Sequence, residues 1–518
     1  MLDVLFIDFP DDFNHASSTW SLGYRYMISS LRRNGFFAAL LHPPAHNGRR
    51  ALIEQILQMN SAIVGFTTYD VKLADLLDFI RDLRRAGSHS HITLGGLCAS
   101  AIPGLILDEV AEVNSVVVGE GEQTIVDLAL KVIRGKDGDT IPGVCLRTPN
   151  GVARGGPRPL HSDLDALSLP ALDGVDSRSK SHDNYKSNGC VPVLGSRGCY
   201  GRCTFCCIQK FYRSCSGAVW RGRRPAAVVD EIGIVTKLSG ARKVTFVDEN
   251  FMGPGAVGRR HAIQIANELA CKKLNIRFNF GCRPNDIDRE TIAILKQSGL
   301  AAVTLGIESM GDETLVLFNK RTTPQINYNA LSILEDLRIS TEITFIFFHP
   351  LTTLDEIQAN LSFIDYVKRS RFTYFNNCQP FSQFIPFFGT ELTHRLSLDN
   401  LAVRTLSEHS IQYRDPRVAL IAGQVLNIPV SQISRLIHQL AAGKTNASRT
   451  IRTKLYAYYQ HLNMVRLPVL VSRLCDLLKH GASPKSAKVR AVVEMFAQER
   501  RNIGSLVTAF DAVASRVQ

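Results

Sequence analysis

Gly195-Ser196-Arg197-Gly198-Cys199-Tyr200-Gly201-Arg202-Cys203-Thr204-Phe205-Cys206 is the stretch from which the rest of the chain can be read. Directly before it, Val191 to Leu194 forms a short apolar run of strand type, so the cysteines fall on a loop at the carboxyl end of a strand. Barrels of alternating strands and helices carry their active sites at that end. Thiolates this close together favour iron–sulfur or zinc over hard cations. Cysteines spaced by three and then two residues can each bind one iron of a four-iron cluster and leave the fourth iron open to a substrate. Electron-transfer clusters use four thiolates instead. Cys207 and Cys215 keep a second arrangement open, because either could complete a zinc or four-thiolate site.

Beyond the loop the alternation continues. Strand candidates at Lys243 to Val247, Ile276 to Phe280, Ala302 to Gly306, Glu342 to Phe347 and Phe372 to Phe375 alternate with helical patterns. The helices are expected at Ala226 to Leu238, Arg260 to Cys271, Arg289 to Gln297, Gln325 to Leu337 and Leu354 to Val367. Six such units predict a partial (β/α)6 barrel over residues 191–385.

Ahead of the loop, apolar runs at Val4 to Asp8, Ala38 to Leu41, Ala62 to Phe66, Ile92 to Leu94 and Ser115 to Val118 are separated by amphipathic stretches. Parallel neighbours need helical crossovers, so residues 1–148 predict a doubly wound sheet in the flavodoxin-like order. Residues 149–190, punctuated by Gly151, Gly155, Gly156, Pro157, Pro159 and Pro170, read as a linker. From about residue 400 helical patterns take over, at Gln432 to Leu440, Thr450 to Leu462 and Ala487 to Ala497, and residues 386–518 are expected to be a basic helical domain. The fold class is therefore α/β with a helical C-terminal region.

Bulk composition agrees. A chain of 518 residues exceeds one hydrophobic core and suggests about three domains. With 45% hydrophobic and 21% charged residues it should be folded throughout. Asp3, Asp8, Asp11 and Asp12 replace the basic flank of an export signal, and no apolar run approaches the ~18 residues of a membrane span. A cytoplasmic location without a membrane partner is expected, where thiols stay reduced, so the 12 cysteines read as ligands, reactive groups or core residues. Most of the net charge of +13 lies after residue 400, where 17 Lys and Arg face 6 Asp and Glu. A basic region of this kind either is a helical surface that is simply solvated or attracts nucleic acid, an acidic protein or a phosphorylated substrate.

Cys199, Cys203 and Cys206, with aromatic Phe205 before the last, resemble the signature of the radical S-adenosylmethionine (SAM) superfamily. The resemblance implies a 4Fe-4S cluster held by the three thiolates, with its open iron chelating SAM. It also implies an external low-potential electron donor, whose electron cleaves the sulfonium to methionine and a 5′-deoxyadenosyl radical. Cluster potentials span about −700 to +450 mV, and that cleavage needs the low end. Further residues match the family at successive strand ends. Asp248 and Glu249, in Asp248-Glu249-Asn250-Phe251, stand where the family binds the SAM amino group. Arg283, in Cys282-Arg283-Pro284, could pair with a carboxylate through its fork. Glu308, in Gly306-Ile307-Glu308-Ser309, resembles the ribose-contacting segment.

The N-terminal domain resembles the cobalamin-binding domain that precedes the radical SAM domain in one large subgroup. The expected cradle is Thr67 and Thr68, Gly95 and Gly96, and Gly119, Glu120 and Gly121, because glycines let a bulky planar cofactor approach the backbone. Trp20-Ser21-Leu22-Gly23-Tyr24 opens the first helix. The subgroup's histidine motif is missing: the chain reads Asp8-Phe9-Pro10-Asp11-Asp12 after the first strand, so no histidine is expected on cobalt, and His15, His42 and His46 read as surface or core residues. The family's activity would be methylation of an unactivated carbon, less often phosphorus, of a small molecule or natural-product intermediate. Ring formation or rearrangement is the alternative. A nucleic-acid-modifying methylthiotransferase is not expected, since residues 1–150 hold only Cys98 and Cys145, and a zinc-stabilised scaffold is the non-enzymatic alternative.

Overall fold

The computed structural model describes residues 2–9, 21–43, 48–136, 140–173, 190–375, 379–442 and 446–517. Trp20, His15, His46, Pro10, Asp11, Asp12 and residues 174–189 of the expected linker lie outside them.

The first sheet has β1 (Val4–Ile7), β2 (Ala38–Leu41), β3 (Ile63–Thr67), β4 (His91–Gly95), β5 (Ser115–Val117), β6 (Val144–Thr148) and β7 (Gly151–Arg154), in the order β2-β1-β3-β4-β5-β6-β7. The first five strands are parallel and wound in the flavodoxin-like order. Buried on both faces, β1 is apolar at every position. The hairpin β6–β7 adds two antiparallel strands. Its second strand falls where a linker was expected, because Pro149 and Asn150 make a two-residue turn between paired Thr148 and Gly151.

After β8 (Cys190–Val193) the chain makes a small ribbon from β9 (Ser196–Arg197) and β10 (Arg221–Gly222). It then runs through β11 (Lys243–Phe246), β12 (Arg277–Cys282), β13 (Leu300–Glu308), β14 (Ser340–Phe345) and β15 (Thr373–Phe375). Strands β8, β11, β12, β13, β14 and β15 form one parallel six-stranded sheet in sequence order, the expected partial barrel. Strands β12 and β14 alternate buried and half-buried positions, so one row faces the helices and the other the lumen.

The C-terminal part holds a hairpin of β16 (Ala402–Arg404) and β17 (His409–Ile411), then helices. Val418, Ile421, Leu474, Val489 and Phe496 are buried in the same continuous core as the barrel helices. Lys479 pairs with Asp355 at 2.5 Å, tying the helix Leu467–Lys479 to the barrel helix Leu354–Arg369. Among the described residues no helix is long and apolar enough to cross a membrane.

Candidate active site

Two acids at the end of β11 staple the entry to the cysteine loop. Asp248 accepts from the Gly195 backbone N–H at 3.0 Å and from the Ser196 hydroxyl at 2.5 Å. Glu249 accepts from the Gly198 N–H at 2.8 Å and from the Tyr212 hydroxyl at 2.7 Å. Gly198 has φ +86°, and a Cβ there would fall 1.8 Å from the Val219 carbonyl oxygen, so the turn into Cys199 requires glycine. Burial pushes the Asp248 carboxyl up to about 7, against the opposing pull of its two hydrogen bonds.

Cys203 is buried and receives a hydrogen bond from Arg283 Nη1 at 3.0 Å. A second Arg283 nitrogen donates to the Lys320 carbonyl. Cys199 Sγ accepts from the Gly201 N–H at 3.4 Å, and Cys206 stands at the position before the helix Cys207–Arg213 with extended backbone. Burial raises the Cys199 and Cys206 thiols, so binding metal there would release protons. Thr204 anchors the loop to the next segment through the Leu317 and Phe318 carbonyls, at 2.7 and 3.0 Å. Phe205 lies with its ring centroid 4.9 Å from that of Phe318.

Both spare cysteines lie against the first domain. Burial and the Asp70 carboxylate push the Cys207 thiol up to about 11, which places Cys207 toward the first domain. Cys215 lies against Gly119, whose added Cβ would come within 3.1 Å of its sulfur. Among the described residues no three His, Cys, Asp or Glu side chains converge as ligands of one ion would. A cubane makes a different demand, since each thiolate binds its own iron.

Glu308 sits on a bulge of β13 at φ +68°, where its carboxylate accepts from Lys320 Nζ at 3.3 Å and the Thr344 hydroxyl at 3.1 Å.

Where the strand ends of the first domain meet the barrel there is a cavity of about 430 Å³. Thr67, Gly95, Gly96, Gly119, Glu120 and Gly121 line it from one side, and Leu194, Arg197, Phe211, Tyr212, Val247 and Glu249 from the other. Gly96 has φ +90°, and a Cβ there would lie 2.5 Å from Thr67 Oγ1. Thr68 stands apart: it is fully buried, donating to the Gly95 carbonyl at 2.9 Å and accepting from the Ala99 N–H at 2.7 Å, so it holds the cradle's backbone.

The Glu120 carboxylate faces away from solvent into an ionic network. It meets Arg197 Nη1 at 3.0 Å, both Arg221 nitrogens at 2.9 and 3.0 Å, and the His161 N–H at 2.7 Å. Glu122 meets the other Arg197 nitrogen at 2.5 Å. Arg197 and Arg221 are paired across the β9–β10 ribbon, so two acids of the first domain grip the ribbon that leads to Cys199. Tyr212, Arg221 and Lys320 carry no motif that would single them out in the sequence, and Arg197, though inside the cysteine stretch, carries no mark of its pairing with Glu120 and Glu122.

The sequence model of the B12 binding domain matches residues 15–129, and that of the Radical SAM superfamily matches residues 193–364. The chain carries a B12 binding domain followed by a Radical SAM domain. Its relatives include an uncharacterized methyltransferase, PH0819, of Pyrococcus horikoshii, 26% identical over 74% of this chain and 78% of that one. They also include the anaerobic magnesium-protoporphyrin IX monomethyl ester cyclase of Rubrivivax gelatinosus, 27% identical over 57% of this chain but only 52% of the cyclase. Among solved structures, the cobalamin-dependent SAM radical enzyme OxsB superposes with a TM-score of 0.76 over 98% of this chain and 81% of its own, at 17% identity. The radical SAM methyltransferase TsrM of Kitasatospora setae gives 0.62 over 78% and 77%, at 18% identity. At such identities the likeness is one of fold.

The cofactors of a cobalamin-dependent radical SAM enzyme are a 4Fe-4S cluster, SAM and cobalamin, and the residues present fit them. The cluster loop offers three separate thiolates beside a buried cation. The cavity offers a glycine cradle in which a Cβ at position 96 would meet neighbouring atoms. Asp248 is different: both oxygens are engaged by Gly195 and Ser196, so it shapes the loop.

Proposed function

We propose that the chain is a cobalamin-dependent radical SAM methyltransferase acting on an unactivated carbon, or less often phosphorus, of a small molecule. Support comes above all from one observation: the cavity has one wall from the B12-binding domain and the other from the elements flanking the cysteine loop. In this reading Cys199, Cys203 and Cys206 hold the cluster, residues 1–148 bind cobalamin, and residues 191–385 bind SAM. The cluster supplies one-electron cleavage of SAM and cobalamin supplies methyl transfer.

The chain's own groups position and exclude. Arg283 compensates thiolate charge at Cys203, and Glu249 holds Gly198 and Tyr212 at the cavity wall. Lys320 and Thr344 orient Glu308 as an acceptor for hydroxyls. The Glu120 and Glu122 network holds the two domains together and keeps water from the cavity's floor.

The test is the accounting of SAM with a competent substrate. S-adenosylhomocysteine and 5′-deoxyadenosine should form in nearly equal amounts, and label from methyl-labelled SAM should enter the product. 5′-Deoxyadenosine without label transfer would favour ring formation, the activity named for the cyclase relative.

A further inference from the structure

Arg202 lies between Cys199 and Cys203 with its side chain exposed. On one side Arg213, also exposed, donates to the Gly201 carbonyl at 3.3 Å. On the other side Asn319 donates to the Arg202 carbonyl at 2.9 Å and accepts from the Nε of exposed Arg321 at 3.4 Å. The three arginines thus form one strip along the outer edge of the cysteine loop. Among the described residues none of them has a carboxylate partner. Arg202 and Arg213 are close enough that, after burial, Arg202 is the main influence pulling the Arg213 pKa down. Some exposed arginines elsewhere are matched, as in Arg81 with Asp78, Arg289 with Asp336 and Arg417 with Asp415, and others such as Arg242 and Arg338 are not, among the described residues; the three here differ in being gathered around one loop. Behind the strip, Arg283 and Lys320 add buried positive charge.

Like charges held together without counterions repel, and the arrangement gains only when a complementary surface arrives. We propose that Arg202, Arg213 and Arg321 are the docking surface for an acidic one-electron donor protein, an inference that rests on the cluster reading of the cysteine triad. The position favours this partner: exposed Arg202 is followed directly in the chain by buried Cys203, so an electron delivered at the strip arrives next to the triad. The donor's reduced flavin or iron–sulfur centre loses one electron and the cluster gains it, with no bond made or broken on this chain. Three cations over one loop match a compact acidic patch better than the extended charge of a nucleic acid.

The test uses the full-length, cluster-reconstituted protein and the variants Arg202→Glu, Arg321→Glu and Arg202→Glu/Arg213→Glu. Each is reduced either by reduced flavodoxin or by photoreduced 5-deazariboflavin, a small uncharged donor, and binding of oxidised flavodoxin is measured by calorimetry. At 50 mM salt the double variant should bind flavodoxin and be reduced by it at least tenfold less well. Reduction by deazariboflavin should be unchanged. The difference should shrink at 500 mM salt, where screening shortens to a few ångströms. Equal flavodoxin affinity and rate in the wild type and all three variants overturns the proposal. So does binding of transfer RNA that is lost in the variants while flavodoxin binding stays intact. If the wild type assembles no cluster, or deazariboflavin cannot reduce it, the reading of the triad falls and takes this inference with it.

Discussion

Arg283 Nη1 donates to Cys203 Sγ at 3.0 Å while its other terminal nitrogen is tied to the Lys320 carbonyl, so a buried guanidinium is fixed beside one thiolate of the triad. Burial opposes the charge on Arg283, yet Cys203 outweighs it and raises the arginine's pKa. A cation at this distance stabilises the reduced cluster, which carries the extra negative charge. Arg283→Met should therefore move the midpoint potential to more negative values and lower bound iron. Arg283→Lys, which keeps the charge and loses the fork, should fall between. Potentiometric titration and iron assays check both, and an unchanged potential in Arg283→Met would remove the arginine from the cluster's surroundings.

Glu120 joins the domains through Arg197 and Arg221. Breaking a buried pair leaves an uncompensated charge and costs about 3–5 kcal/mol. Burial pushes the Glu120 carboxyl up, but Arg221, Arg197 and the His161 N–H outweigh it and hold the group below its usual value. A depressed carboxylate contributes stability that is present above its unfolded value, roughly 4.3, and is lost as pH falls through the lower folded one. Thermal unfolding should therefore show wild type losing stability below about pH 4.5. Glu120→Gln should be less stable at neutral pH and flatter across that acid range.

The two regions of alternating strands and helices were legible because their periodicities are strong. All six barrel strands, the helix Arg289–Gln297 and the helix Leu22–Arg33 stand where the pattern puts them. Strand β7 was hidden because it is four residues long with Gly151 at its start, and glycine reads as punctuation. At the site, local spacing marked the cysteines and the glycine cradle. The pairing of Glu120 with Arg197 and Arg221 was not visible, since ion pairs between residues 77 and 101 positions apart leave no local pattern. Thr68 was expected in the cradle as one of the small residues at a strand end, but it stands just past β3 and is held inward by its hydrogen bonds to the Gly95 carbonyl and the Ala99 N–H.

Asp248 gives a second pH signature, of opposite sign. Its folded value of about 7 lies above its ordinary 3.8, because burial disfavours the charged form. Stability contributed by the protonated carboxyl is present below about 4 and lost as pH rises through about 7. Asparagine can accept from the Gly195 N–H and donate to the Ser196 hydroxyl, so Asp248→Asn should fold, assemble the cluster and lose that dependence between pH 4 and 7. Asp248→Ala leaves both loop donors unanswered, which costs about 1–3 kcal/mol for each buried group, and should lower cluster content. Cluster content equal to wild type in Asp248→Ala would show that the loop does not depend on this carboxylate.

The glycine cradle can be separated from backbone strain. Gly96 and Gly135 both have positive φ, +90° and +65°, but an added Cβ meets Thr67 Oγ1 at 2.5 Å in the first case and nothing within 4 Å in the second. Left-handed strain alone costs about 1–2 kcal/mol at either position. Gly96→Ala should lose cobalamin binding by more than tenfold in affinity, while Gly135→Ala, which meets only the backbone strain, should be destabilised less and bind cobalamin normally. Equal cobalamin affinity in the two variants would mean that the cofactor does not approach Gly96.

Cobalt should carry no histidine from this protein. No histidine is among the described residues that line the cavity. His42 is bound to Asp8 through Nδ1 at 3.0 Å. His91 opens β4, at the opposite end of the strand from Gly95, and burial followed by the charge of Arg84 pushes it down to about 4. His15 and His46 lie outside the described residues, so the measurement has to include them. In the cob(II)alamin form, electron paramagnetic resonance should show the same nitrogen splitting, or its absence, in wild type and in His15→Ala, His42→Ala and His46→Ala. A splitting that disappears in any one of the three would place that histidine on the metal and return the first domain to the histidine-ligated class of cobalamin proteins.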